Sequence, residues 1–539
     1  MNFDTLYQPY SSNRYCVTAL NGMVATGSAL ASSAGLEVLR KGGNAVDAAV
    51  ATAAALTVTE PTSNGLGSDS FALVWINADS KLYGMNSSGR APKNISADKV
   101  LARVPDGKMP KHGWLPVMVP GAVSGWEALN RRFGKLPLAE CLAPAIRYAE
   151  DGYPIPPMLT KLWKKCLEDY RRMFGDRPEF KEWFRVFTKD GEAYGFGDIV
   201  RLPDHAKSLR LIAEQGRDVF YRGEIAEQLV KQSQRDGGYF CMEDFEEYRT
   251  DWVEPIGVNY RGYDVWEIPP NGQGITALMA LNILKEFEFG EKESIETYHL
   301  QLEAMKLAFA DSLHYVTDAS KMKIDYHCLL DPAYGAERAK LIGREAQVYM
   351  PGKPPAGGTV YLCTADGEGN MVSYIQSNFW DFGSGIVVEG YGVSLQSRGA
   401  TFSLDPADAN YLEPGKKSYH TIIPGFLTKG GKAVGPFGVM GAYMQPQGHV
   451  QVLMNMLDFG LNPQMALDAP RWQWLQGKQV ALEPSFGRAL AEQLSARGHE
   501  IRFDIPVATF GRGQIILRMD NGALVGATES RTDSNIACW

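Results

Sequence analysis

Residues 351–376 run PGKPPAGG, TVYLCT, ADGEGN, MVSYIQ: a loose Pro/Gly stretch leads straight into an alternating strand at Thr359, a tight turn and a second strand. A hairpin in that position fixes two neighbouring strands of a sheet and sets a threonine at their entrance. A threonine hydroxyl is a poor nucleophile near neutral pH and needs a base within hydrogen-bond reach. Cutting the chain between Gly358 and Thr359 would free the Thr359 α-amine to be that base, so one residue would supply both groups. Gly357 and Gly358 lack Cβ and accommodate the strained backbone that exposes the Gly358 carbonyl to the Thr359 hydroxyl. Taken alone, the segment reads more readily as a hairpin entered from a surface loop, since Gly-Thr pairs are common.

The pattern around this hairpin predicts an α/β fold. Helical spacing runs from Ser28 to Arg40, Gly42-Gly43 ends it, and Asn44 caps a second helix over about 45–56. That helix is mostly Ala and Val, small enough to pack closely on a sheet. FALVWI, behind the Gly65–Gly67 turn, reads as a strand; 119–150 reads as two helices joined at Gly134; YDVWEIPP at 263–270 reads as a strand leading into a helix. Beyond Thr359, period-two alternation predicts strands at 359–365, 371–376, 420–427, 513–518 and 523–527, with DNG at 520–522 as a hairpin turn. The first 350 residues are helix-rich, the last third is strand-rich, and no internal repeat occurs. This suits a sandwich whose inner sheets lean on the C-terminal part.

Composition narrows the function classes. With 45% hydrophobic and 22% charged residues and no Ser-, Pro- or charge-rich linker, the 539 residues predict one large domain. A net charge of −8 without a dense Lys/Arg block gives nucleic acid nothing to hold. The N-terminal residues show no basic stretch followed by an apolar core, and the longest apolar run, AAVATAAALTV, is too short to span a bilayer; a cytoplasmic location is expected. Seven scattered cysteines without CxxC predict reduced thiols, with Cys363 a small packing residue of its strand. The eight histidines form no HExxH or HxH pattern, so no metal is expected. Gly272-x-Gly274-x-x-Ala277 imitates a dinucleotide fingerprint, but Pro269-Pro270 spoil the tight turn it requires, and no cofactor is expected. No GxSxG elbow is present either.

Three longer stretches carry a resemblance: GLEVLRKGGNAVDAAVATAAALTVTEPTSNGLGSDSF at 35–71, NFWDFGSGIVVEGYGVSLQ at 378–396 and GVMGAYMQPQGH at 438–449. With them the chain resembles the γ-glutamyltranspeptidase family of N-terminal-nucleophile hydrolases, in the expected order from about Met23 to about Arg531. The resemblance implies a four-layer αββα sandwich made as one precursor, cut into a large subunit, 1–358, and a small one, 359–539, that together build one domain. It implies Thr359 as nucleophile, Ser377 as a hydroxyl near it, Arg90 (in GRAP) as binder of a substrate carboxylate, and Gly441-Ala442 as backbone donors of the oxyanion hole. Gly438 would support the tight path into that loop, Asn378 would add a side-chain contact, and His449 would cap a helix beginning at Val450. A dimer of such two-subunit units remains open.

The departures from the family pattern bear on the substrate. Thr401, in SRGATFS, stands where transpeptidases carry the acid that holds an α-amino group. Arg398 and Phe379 replace a Gln and an Asn of the same pocket, and His420 and Thr421 replace paired serines. A pocket that has lost its anion no longer favours an α-ammonium group, because an unpaired buried charge costs several kcal/mol in order of magnitude. These replacements resemble the subgroup that includes oxamate amidohydrolases. The expected substrate is therefore a small amide bearing a carboxylate, oxamate first. The alternatives are a γ-glutamyl hydrolase or transpeptidase, a glutaryl-type acylase and, in a different class, an uncleaved relative that only binds a carboxylate ligand.

Overall fold

The computed structural model describes Tyr10, residues 14–349 and residues 358–539. Gly357 and the Pro/Gly stretch before it lie outside the described residues.

Two seven-stranded sheets, antiparallel throughout, lie face to face. In the first, the strands run in the order Val17–Ala19, Leu524–Thr528, Arg512–Arg518, Lys432–Met440, Gly425–Lys429, Tyr263–Glu267, Ile256–Tyr260. In the second the order is Asn535–Cys538, Gly22–Thr26, Gly358–Asp366, Met371–Phe379, Asp69–Ile76, Lys81–Ser87, Asp251–Val253. The hairpin strands alternate between two buried environments, since both faces of the sheet are covered. Val360, Leu362, Val372 and Tyr374 point to the helices, whereas Tyr361, Cys363 and Ile375 meet Phe426, Ile516 and Leu524 between the sheets.

Helices close both outer faces and complete the four-layer αββα sandwich. On the second sheet lie Ala29–Arg40 and Ala45–Thr59, the latter buried along its whole length because alanines and valines let it seat close to the strands. Asn44 accepts from the N–H groups of Val46 and Asp47, and Asp47 answers to the Asn44 N–H, a reciprocal cap. On the first sheet lie Gly274–Leu284, Ile295–Tyr315 and Met444–Leu457. The expected helix pair around Gly134 is found as Ala122–Phe133 and Leu138–Asp151, and the DNG turn joins Arg512–Arg518 to Leu524–Thr528.

Four expectations change. The strand expected over 420–427 begins only at Gly425. Pro424 has no N–H to give a ladder, and residues 420–423 are satisfied elsewhere: His420 exchanges main-chain bonds with Asn271 and Gln273, and the Ile423 N–H donates to Gln445 Oε1. His449 caps nothing; it sits inside helix Met444–Leu457, buried, with Nδ1 2.7 Å from Glu267 Oε1. Gly438 serves sheet packing, since a Cβ there would lie 2.5 Å from the Tyr361 ring. The inner sheets are shared evenly: residues after 358 give four strands of the first sheet and three, with Gly358–Asp366, of the second.

Candidate active site

The hairpin delivers Thr359 to the end of the second sheet through an irregular register. Gly358 pairs with Phe379 but Val360 with Gln376, so Thr359 sits at a bulge. The extra residue belongs to the strand Met371–Phe379, where Ser377 and Asn378 together stand opposite the single buried Thr359. Its Oγ1 lies 3.2 Å from Ser377 Oγ and 3.5 Å from Gln445 Nε2. Gln445 is oriented by the Ile423 N–H on its other amide atom, which leaves the NH₂ end to the threonine. The Phe379 N–H in turn donates to Ser377 Oγ at 2.8 Å.

Two non-glycine residues flank this cluster in the left-handed region: Phe379 at φ 76° and Ala442 at φ 52°. Such backbone costs of order 1 kcal/mol or more and persists where neighbours over-determine it. At Ala442 the neighbour is Gln273, whose Nε2 donates to the carbonyls of both Ala442 and Thr421, at 2.8 and 2.6 Å. Gly441, at φ 142°, packs so close to Gly511 that a Cβ would meet its Cα at 3.2 Å. The Gly441-Ala442 corner thus stands at the N-terminal end of helix Met444–Leu457, the end whose dipole favours developing negative charge.

Behind the hydroxyls lies a buried charged group. The Arg398 guanidinium stacks 4.4 Å from the centre of the Phe379 ring, and its Nη1 donates to Thr421 Oγ1 at 2.6 Å. Asp69 Oδ2 accepts from His420 Nε2 at 3.0 Å and lies 3.7 Å from Arg398 Nε, while Oδ1 accepts the Gly89 N–H at 3.0 Å. Burial drives the Asp69 carboxyl up to about 7 in spite of the guanidinium beside it. Burial, with Arg398 and Lys417 nearby, holds His420 well below its ordinary value, so it is neutral and donates through Nε2. Burial also lowers Arg398 to about 10, still charged at neutral pH.

The structure therefore brings Thr359, Ser377, Phe379, Arg398, Thr421 and His420 into one connected cluster. Thr401 supports it from behind: its hydroxyl lies 2.9 Å from the carbonyls of Arg398 and Tyr419. Asn378 braces loops, accepting from Ser68 and donating to Ser394. The Arg90 main chain borders the site next to Gly89, but its side chain, 45% exposed, turns to Asp318 Oδ2 at 3.4 Å, the Gly415 carbonyl at 3.2 Å and Asp251 Oδ2 at 3.9 Å. Cys363 is buried between the sheets, as its strand position predicts. Sequence reasoning passed over Asp69, Gln273 and Gln445. Asp69 carried the clearest signal, an acid opening a strand with no other charged residue.

Among the described residues, His299, Glu303 and His499 also bring ligand-type atoms within 4.8 Å of one another. There the Lys306 ammonium stands 2.7 Å from Glu303 Oε1 and 3.5 Å from His499 Nδ1, and so itself supplies the positive charge. The rest is a hydrogen-bond chain, with His299 Nδ1 3.0 Å from His499 Nε2 and His299 Nε2 2.9 Å from the Gly343 carbonyl. Among the described residues no helix is long and apolar enough to cross a membrane.

Comparison with known proteins agrees with this architecture. The sequence profile of the family described as gamma-glutamyltranspeptidase matches residues 31–539. A glutathione hydrolase-like YwrD proenzyme of Bacillus subtilis is 37% identical, covering 95% of this chain and 97% of its own. An oxamate amidohydrolase proenzyme of Klebsiella pneumoniae is 33% identical over 98% of this chain and 99% of its own. The crystal structure of a cephalosporin acylase from Bacillus halodurans superposes with a TM-score of 0.95 at 54% identity, covering 100% of this chain and 99% of that one. The chain belongs to the γ-glutamyltranspeptidase family, amide C–N hydrolases of the N-terminal-nucleophile class.

Proposed function

We propose that the protein is a self-processing threonine amidohydrolase that cleaves amides whose acyl part bears a carboxylate, with oxamate as the simplest substrate. The observation that carries the reading is the Thr359 hydroxyl, set at a bulge and faced by Ser377 and Gln445. While the Gly358–Thr359 bond is intact, the Thr359 nitrogen is an amide and no base. The hydroxyl attacks the Gly358 carbonyl carbon, the C–N bond breaks as the acyl group moves to oxygen, and water hydrolyses the ester. This frees the Gly358 carboxylate and the Thr359 amine.

In turnover the amine takes the hydroxyl proton as Oγ1 adds to the substrate amide carbon. The oxyanion is held by N–H groups of the Gly441-Ala442 corner, the proton passes to the leaving nitrogen, and water resolves the ester. From oxamate the products are oxalate and ammonia. The neutral His420, the cationic Arg398 and the absence of an acid at Thr401 argue against a bound α-ammonium group.

The 54% identity to a cephalosporin acylase favours a second reading, an acylase that removes a longer dicarboxylic acyl group from an amine. The test is a denaturing gel of purified protein, followed by kcat/KM on oxamate, a glutaryl amide and γ-glutamyl-p-nitroanilide. Two fragments and a preference for oxamate are expected. A preference for the glutaryl amide selects the second reading, one for the γ-glutamyl compound overturns the pocket argument, and a single inert band sinks both.

A further inference from the structure

We infer that Arg398, rather than Arg90, receives the carboxylate of the substrate, through the edge of its guanidinium formed by Nε and Nη2. The inference rests on the carboxylate-amide reading above and assigns the group that selects it.

Arg398 is 1% exposed, and neither its Nε nor its Nη2 has a hydrogen-bond partner. Leaving a buried N–H unmet costs about 1–3 kcal/mol, more for a charged group, so two on one side chain mark a site waiting for an acceptor. Nε–H and one Nη2–H point the same way and match the two oxygens of a carboxylate. The rest of the side chain is already fixed: Nη1 by Thr421, the plane by the Phe379 ring, and the main-chain N–H by Gln396 Oε1. Asp69, the nearest acid, meets the Nε end of that edge only as a long ion pair. Its Oδ2 is 3.7 Å from Nε and already accepts from His420. A further donor, Gln396 Nε2, is buried and unpartnered in the same turn.

The place suits the chemistry. Phe379, on which the guanidinium stacks, gives its N–H to Ser377 Oγ, and Ser377 stands next to the Thr359 hydroxyl. Arg90 differs in each respect: half-exposed, and met by two carboxylates and a carbonyl.

Calorimetric titration of the wild-type protein, Arg398→Gln, Arg398→Lys and Arg90→Gln with oxalate and with glutarate tests this without turnover. The wild type and Arg90→Gln should bind one of the dicarboxylates with affinities within about threefold of each other, Arg398→Gln should lose about 100-fold, and Arg398→Lys about 10-fold. In parallel, the kcat/KM ratio of oxamate to its neutral ethyl ester should collapse in Arg398→Gln, a change that a general loss of structure would not produce. Should Arg398→Gln fail to fold, Arg398→Lys carries the comparison. Equal binding by the wild type and both Arg398 variants, a loss confined to Arg90→Gln, or no dicarboxylate binding by the wild type would overturn the inference. Binding that depends on Arg398 in a protein that hydrolyses none of the amides would leave it standing and remove the amidase reading instead.

Discussion

At the residue scale the hydroxyl of Thr359 has two tasks in the proposed chemistry, and they can be separated by substitution. Thr359→Ala should give a single full-length chain without amidase activity, seen on a denaturing gel and by ammonia release; normal cutting in this variant would remove Thr359 as the attacking group. Thr359→Ser keeps a hydroxyl and loses the methyl that restricts its rotamer, so it should be cut and retain reduced turnover. Thr359 stood out through its local hairpin, and Ser377 and the Gly441-Ala442 corner through the family resemblance. Asp69 and Gln273 did not. Their roles arise from contacts across hundreds of residues, to His420 and to Ala442. Arg398 was legible as a pocket cation, but only the folded packing shows which of its N–H groups are open.

At the scale of elements, the Gly441-Ala442 corner leans on a buried ion network. Gly511 packs against Gly441, and the Gly511 carbonyl accepts from Arg471 Nη1 at 2.8 Å. Arg471 pairs with Glu529 at 2.8 Å, and Arg531 bridges Glu529 and Glu483, each at 2.7 Å. Burial pushes the Glu529 carboxyl up, but Arg471, Arg531 and the Gly513 N–H together pull it down to about 2. A carboxyl lowered on folding stabilises above its ordinary value, near 4.5, and that stability is lost as pH falls through 2. The full effect is roughly 3 kcal/mol. Urea unfolding of Glu529→Gln should therefore lie well below wild type at pH 6, with the gap closing towards pH 2.5; a gap independent of pH would show that the pairing is not the source. Gly438→Ala tests the sheet spacing. Its methyl would strike the Tyr361 ring and should cost about 1–3 kcal/mol without changing the order of activities on different amides. Periodicity revealed most strands, but 420–427 misled because its alternation came from groups turned into the site, and Pro424 delays the ladder.

At the scale of the whole molecule, the helix-rich first 350 residues and strand-rich last third pointed to the α/β class and the family resemblance implied the four-layer sandwich, whereas neither gave the even sharing of strands. Strand partners are chosen by long-range fit, on which local periodicity is silent. In the first sheet the four later strands lie between strands from the first 358 residues, and in the second the hairpin lies between Gly22–Thr26 and Asp69–Ile76. The cut pieces should co-elute on gel filtration and part only in denaturant; separation in native buffer would contradict this interleaving. Folding of the uncut chain is a unimolecular search, but once the chain is cut the same architecture can be regained only by an encounter of two partners, at a rate set by their concentration. The finished enzyme should then be held by the height of its unfolding barrier rather than by a reversible balance, with an apparent melting temperature that moves with scan rate, while uncut Thr359→Ala refolds equally well at any dilution.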